Sequence, residues 1–242
     1  MKKPGLIVMM LVIGVSVMCA SCIVTIVPII GSGQMVTSER AVSSFKKVNG
    51  SGSVRLHYYE SQEYRAVVTV DSNLEEYVDI YTKNETLYIK TKSRKGRSFS
   101  FTRFEVDIYC PVVTAVSMSG SGSFKCMDPI TTSSFELDIS GSGKMEGTLY
   151  CVNFDSSISG SGKIAVNGSS DNLSITISGS GNFEGDKFNT NNAAVHVSGS
   201  GKMKIRVAHY LKATISGSGE VQYYGNPIID SRITGSGRIK KM

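Results

Sequence analysis

Tryptophan is absent from this 242-residue chain, proline occurs five times, histidine three times, and aromatic residues make up only 8%. That inventory gives little support to a core built around large aromatic side chains. Glycine, in contrast, occurs 25 times, which disfavours long helices and favours short strands between tight turns. No Cys-x-x-Cys pair exists, and His57, His196 and His209 are scattered without ligand spacing, so a zinc site is not expected. Cys19 and Cys22 fall in the apolar N-terminal region. Cys110, Cys126 and Cys151 remain, an odd number that allows at most one disulfide and fits buried free thiols. A dense basic stripe is also missing: the net charge is +6, and the one tight cluster, Lys92 to Arg97, reads as a solvated hairpin tip. Nucleic acid is therefore not an expected partner.

A long apolar run occurs only at the N-terminus. Lys2 and Lys3 precede the apolar stretch from Leu6 to Met18, the layout of an export signal. Ala20 and Ser21 stand before Cys22, and this stretch resembles a bacterial lipobox. The resemblance implies a signal peptide over residues 1–21, cleavage, and lipid attachment at Cys22. The alternative is an uncleaved transmembrane helix from Leu6 to Ile30, since roughly 20 apolar residues span a bilayer. Either route gives an exported protein with the membrane as a partner. Without Lys2 and Lys3, 24 basic residues face 20 acidic ones, a mild net +4. Residues 22–43 read as anchor and polar tether, so the fold is expected to begin near Phe45.

From there to about Pro111, period-2 alternation marks strands at Val54 to Tyr58, Tyr64 to Val70, Val78 to Tyr81, Thr86 to Lys90 and Phe104 to Tyr109. Asn73 to Tyr77 fits one helical turn, and Lys83-Asn84-Glu85 fits a hairpin turn. Residues 44–115 thus form a strand-rich first part.

Residues 116–242 are governed by a repeat. Ser-Gly-Ser-Gly begins at Ser119, Ser140, Ser159, Ser178, Ser198 and Ser216, with a Thr variant at Thr234 and an Asn outlier at Asn49. From Ser119 onward the spacings are 21, 19, 19, 20, 18 and 18 residues. Two residues before the first glycine stand Met118, Ile139, Ile158, Ile177, Val197, Ile215 and Ile233; four after it stand Phe124, Met145, Ile164, Phe183, Met203, Val221 and Ile239. Val48 and Val54 frame Gly50 in the same way. A strand buried on one face requires this framing, whereas a catalytic loop does not.

The glycine pairs are Gly120 and Gly122, Gly141 and Gly143, Gly160 and Gly162, Gly179 and Gly181, Gly199 and Gly201, Gly217 and Gly219, and Gly235 and Gly237. Two structural readings fit them. Either both stand inward where bulk is removed for a close backbone approach, or the tetrad is a corner in which glycine supplies positive φ and the hydroxyls bond local backbone. A unit of this length buries a core only by stacking. The expected fold class is all-β: a single-chain parallel β-solenoid with coils about 4.8 Å apart, some 30 Å long, behind a more irregular strand-rich N-terminal part. Charges in the last coil, Arg238, Lys240 and Lys241, discourage edge-to-edge polymerisation.

The glycine-rich tetrads do not make a P-loop, because each leads into a strand rather than Gly-Lys-Ser/Thr and a helix. Calcium-binding solenoids repeat a carboxylate at the turn, and here Ser123, Lys144, Lys163, Asn182, Lys202, Glu220 and Arg238 occupy that place. No cofactor or metal is expected. Asp138, Glu146, Asp155, Glu184, Asp186 and Glu220 fall at different offsets, and His196 has no periodic partner, so catalytic carboxylate pairs and Ser-His-Asp sites are not indicated. What remains is an outward face: columns of serine, including Ser140, Ser142, Ser159, Ser161, Ser198 and Ser200, beside a third column carrying Lys144, Lys163, Lys202 and Arg238. It is either a plain solvated surface or a flat, basic-edged one suited to a glycan or an envelope protein, and compatible with self-association.

The Phe45-Lys-Lys-Val-Asn-Gly-Ser-Gly start, the Val70-Asp-Ser-Asn-Leu-Glu-Glu-Tyr-Val segment, Leu87-Tyr-Ile-Lys and the serial Ile-Ser-Gly-Ser-Gly-Lys-Ile repeats together resemble the putative auto-transporter adhesin head domain (head GIN domain) family, over about residues 43–240. The resemblance implies a β-solenoid head with an adhesive role at the bacterial cell envelope and brings no catalytic residues. Nothing after the repeats could form a membrane barrel or stalk, so a lipid-tethered envelope protein, an outer-membrane lipoprotein, is the expected form. The competing class is an enzyme acting on envelope or extracellular glycans, which two carboxylates converging in one groove would favour.

Overall fold

The computed structural model describes residues 27–92 and 97–242. The expected export signal, Cys22 and the expected hairpin tip around 93–96 lie outside the described residues. The strands are β1 (Val27–Ile30), β2 (Met35–Arg40), β3 (Lys47–Gly52), β4 (Arg55–Glu60), β5 (Arg65–Asp71), β6 (Val78–Lys83), β7 (Thr86–Thr91), β8 (Arg97–Ser100) and β9 (Phe104–Cys110). They continue as β10 (Ala115–Gly120), β11 (Ser123–Cys126), β12 (Ile130–Gly141), β13 (Lys144–Gly160), β14 (Lys163–Gly179), β15 (Asn182–Gly199), β16 (Lys202–Gly217), β17 (Glu220–Tyr224), β18 (Ile228–Gly235) and β19 (Arg238–Lys241). One 3-10 turn, Glu75–Tyr77, sits where a helical turn is expected. The chain is all-β.

From β10 onward the strands stack in parallel as a β-solenoid, and the sequence repeat is the register. Ser119, Ser140, Ser159, Ser178, Ser198, Ser216 and Thr234 are successive partners. Ile139, Ile158, Ile177, Val197 and Ile215 stack one coil apart and are at most 1% exposed. Burying each such side chain contributes roughly 1.5–3 kcal/mol. Phe135, Phe154 and Phe188 form a second internal stack, with ring centroids 5.8 and 5.7 Å apart.

Each tetrad is a corner, and its two glycines do different work. The first has positive φ throughout, from +99° at Gly120 to +116° at Gly199, and a Cβ on Gly179 would lie 2.6 Å from the Gly160 carbonyl oxygen one coil below. The second has ordinary φ and is buried from Gly122 to Gly219, and a Cβ on Gly181 would lie 2.5 Å from Ile158 Cγ2. The positive-φ part of the corner reading thus holds for the first glycine and the bulk-removal reading for the second. The ladder runs on through the corner, with Ser180 N donating to Gly160 O and Asn182 N to Gly162 O, both at 2.9 Å.

The register corrects the reading of the first copy. Gly52, not Gly50, pairs with Gly120, so Gly50 stands beside Met118, and Leu56 beside Phe124. Val54 then takes the place of the second glycine, as its carbonyl oxygen accepts from Ser123 N at 2.9 Å where Gly122 O serves the next coil. The bulk has changed places: a Cβ on Gly50 would meet Met118 Sδ at 2.8 Å and Leu56 Cδ1 at 3.0 Å.

β7 and β9 extend the two ladders by pairing in parallel with β3 and β4. Antiparallel strands then close this pole: β6 on β7, β5 on β9 and β2 on β5. Asn84 and Glu85, at φ +50° and +56°, make the expected two-residue hairpin turn. The described part of the expected anchor and tether, residues 27–43, is folded. β2 lies inside it, and Asp71 accepts backbone N–H bonds from Gly33 and Thr102, both at 2.8 Å, while Asn73 ties Ser32 and Ile30 at 2.8 Å. Side chains of β5 and its turn thus supply what the sequence of 31–33 conceals. β1 pairs in parallel with β8, so a spanning helix does not run to Ile30. β8 has no pairing with β7 among the described residues; it pairs with β1 in a separate two-stranded sheet.

Candidate functional site

Alternation sends both serines of every tetrad from Ser119 to Ser218 outward, and all are exposed. The corner between them separates what the sequence placed side by side. The first serines border the sheet face made by the later halves of β12 to β16; the third column begins the strands beyond the corner. Ser123, Lys144, Lys163, Asn182, Lys202, Glu220 and Arg238 are partners there in that order.

That column is less basic than its composition suggests. Lys163 Nζ lies 2.8 Å from Glu184 Oε2, and this bond holds its ammonium above the usual lysine pKa. Arg238 lies 2.6 Å from Glu220, whose carboxyl is held low first by the Gln222 amide and then by Arg238. Lys144 and Lys202 make no ion pair among the described residues and line two grooves, of about 160 and 310 Å³.

The other border of the face carrying Ser140, Ser159, Ser178 and Ser198 holds a feature that sequence reasoning missed. Asn153, Asn172 and Asn192 are stacked partners one coil apart, with Tyr210 next in the column. Asn172 Nδ2 donates to Asn153 Oδ1 at 3.0 Å, and Asn192 Nδ2 donates to Asn172 Oδ1 at 3.2 Å. This amide ladder edges a groove of about 270 Å³ whose floor is Phe154, Leu173 and Ala193 and whose far side carries Asp155, Ser174 and Lys212. Tyr210 is 39% exposed at its end. The signal was legible as asparagine recurring at 153, 172 and 192, in step with the serine tetrads. Between groove and serine column run the outward residues Ser157, Thr176, His196 and Thr214. Amide, hydroxyl and aromatic groups over an apolar floor suit a ligand that offers many hydroxyls and a flat apolar side.

The remaining chemistry is subdued. Cys110, Cys126 and Cys151 are free, and burial pushes each thiol up to about 12, away from the reactive thiolate. Asp155 lines the amide-edged groove. His57 Nδ1 and Asp107 Oδ1 are 2.8 Å apart on neighbouring strands β4 and β9.

The profile of the family described as "Putative auto-transporter adhesin, head GIN domain" matches residues 44–227. The chain belongs to this family. Its fold is also that of solved structures. A putative adhesin from Bacteroides fragilis superposes with a TM-score of 0.81 at 22% identity, covering 88% of this chain and 100% of the other. A putative lipid binding protein from Parabacteroides distasonis gives 0.75 at 27% identity over 89% and 99%. A putative adhesin from the same species gives 0.74 at 23% identity over 89% and 100%. No curated protein matches the chain in sequence.

Proposed function

We propose that this head GIN domain is an exported binding module, tethered to the cell envelope through Cys22, and that it recognises glycans on the face between the amide ladder and the first serine column. The observation that carries the reading is the groove edged by Asn153, Asn172 and Asn192 and closed by Tyr210. Side-chain amides offer paired donor and acceptor to vicinal hydroxyls, and an exposed tyrosine ring covers the apolar face of a sugar. Ser140, Ser159 and Ser198 extend the polar surface, and Lys144 and Lys202 add charge beyond the corner. The adhesin description of the family supports the same class of function.

Binding of the full chain to a glycan panel tests this. Asn172→Ala and Tyr210→Ala should each weaken the strongest signal by about tenfold, the loss of one or two well-placed polar or aromatic contacts. Unchanged binding in both variants would refute the assignment. Cys22→Ala should abolish metabolic lipid labelling; undiminished labelling would refute the anchor.

A second reading has one observation in its favour. Phe99, Phe101 and Phe104, with Lys92 and Arg97, line a groove of about 360 Å³. Aromatic walls with cationic residues suit an amphiphile, and one structural relative is named a lipid binding protein. Vesicle or fatty-acid binding lost on Phe101→Ser, with glycan binding intact, would favour it.

A further inference from the structure

The two poles of the solenoid differ. Antiparallel strands close the N-terminal pole, whereas β18 has β16 along one side and no strand along the other among the described residues. Its inward residues lose their cover: Ile229 and Ile233 are 40% and 43% exposed, while Leu211 and Ile215, their partners one coil below, are 0% and 1% exposed. Ile228 is 74% exposed. A free strand edge of this kind is a template for another strand.

We propose that β18 pairs with β18 of a second copy of this chain, antiparallel, about a two-fold axis through Ser231. The segment Ile229-Asp230-Ser231-Arg232-Ile233 is self-complementary in that register. On the inward face Ile229 opposes Ile233, and on the outward face Asp230 opposes Arg232, each contact occurring twice by symmetry. Arg232 makes no ion pair among the described residues, and Asp230 accepts only a long 3.4 Å bond from the Tyr210 hydroxyl. Centring the axis on Asp230 or Arg232 sets like charges against each other. Centring it between residues turns the partner's apolar face the wrong way. β19 is unsuited to the same use, because Arg238, Lys240 and Lys241 would oppose cations of the second copy.

Such a pair continues the stack with the two N-terminal poles at opposite ends. Resting on the anchored orientation proposed above, it links two surfaces rather than neighbours on one; the pairing itself stands without the anchor.

Sedimentation velocity of the full chain in mild detergent, over a range of loading concentrations, tests it. A monomer–dimer equilibrium with no larger species is expected. Asp230→Arg should weaken association about tenfold or more, since two attractive cross-strand pairs become repulsive, and combining it with Arg232→Asp should restore it to within about threefold. Circular dichroism checks that each variant folds. Should the single reversal fail to fold, Ser231→Cys serves instead, giving on oxidation a disulfide-linked dimer that the unaltered chain does not form. A monomer at every concentration, indifference to the single reversal, failure of the double exchange to restore pairing, or an open series of larger species would each overturn the proposal. Intact pairing with no glycan binding would refute only the preceding reading.

Discussion

The solenoid and the N-terminal lobe reach the same core by opposite means. From β10 to β19 one rule is copied: apolar residue, serine, cornering glycine, serine, buried glycine, polar residue, apolar residue, each stacked on its own kind. The lobe relies on contacts made once. Among the described residues, five of the seven ion pairs made by lysine or arginine lie there, including Arg40 with Glu75 at 2.9 Å and Arg55 with Glu105 at 3.0 Å, against two in the repeats. A stacked column holds through backbone bonds and apolar burial, while a cap that ends the stack must be specified by particular side chains.

The sharpest way to break the solenoid is to charge a column. Ile177 is fully buried between Ile158 and Val197, so Ile177→Asp should cost more than about 4 kcal/mol and leave no cooperative melt. A cooperative transition with near-native midpoint would contradict the inward assignment.

Acid should separate the two regions. Burial, the strongest single influence, pushes the Asp71 carboxyl up, but the N–H groups of Gly33, Thr102 and Arg103 and the Thr102 hydroxyl outweigh it and hold its pKa low. Glu75 is also held low, by the Ser38 hydroxyl and then Arg40. Depressed carboxylates contribute stability that is complete above their unfolded values, about 4, and is lost as pH falls through the lower folded values. Hydrogen exchange below pH 4 should therefore open β2 and the Gly31–Gly33 clamp before β13 to β15. Asp71→Asn should loosen the clamp at neutral pH and flatten its acid response. Simultaneous opening of both regions would remove the distinction.

Outward changes in the repeats should matter little. Lys163→Asp sacrifices one exposed pair with Glu184 and should cost no more than about 1 kcal/mol in a urea titration. Smallest is Ser156, whose buried hydroxyl lacks a hydrogen-bond partner among the described residues, in a column between Leu137 and Ile175. Ser156→Ala should leave stability unchanged or raise it by less than about 1 kcal/mol; a clear loss would reveal a hydrogen bond to water there.

These contrasts explain what was legible in the sequence. The solenoid could be read because Ile139, Ile158 and Ile177 recur in step with the serines, and periodicity is visible without a partner. The lobe's strands were visible from alternation, but not their closure. That β2 belongs to the sheet depends on Asp71 and Asn73 reaching back some 40 residues to Gly33 and Ser32, and no local pattern carries that information. The first copy differs by two residues from its sequence reading because Gly50 and Val54 exchange bulk within that coil, a compensation only register reveals. At the candidate site the serine and lysine columns were read correctly as outward, yet the corner that divides them and the amide-edged groove depend on where each coil bends.

The division of labour inside the tetrad is the centre of this account, and Gly179 beside Ser178 tests it in adjacent residues. Gly179 sits at φ +115° with the Gly160 carbonyl where a Cβ would go, whereas Ser178 points outward and is exposed. In parallel thermal melts Gly179→Ala should lose about 1–4 kcal/mol through strain and contact with backbone, and Ser178→Ala at most about 1 kcal/mol. A Gly179→Ala protein as stable as the unaltered chain, or a larger loss for Ser178→Ala, would contradict the account.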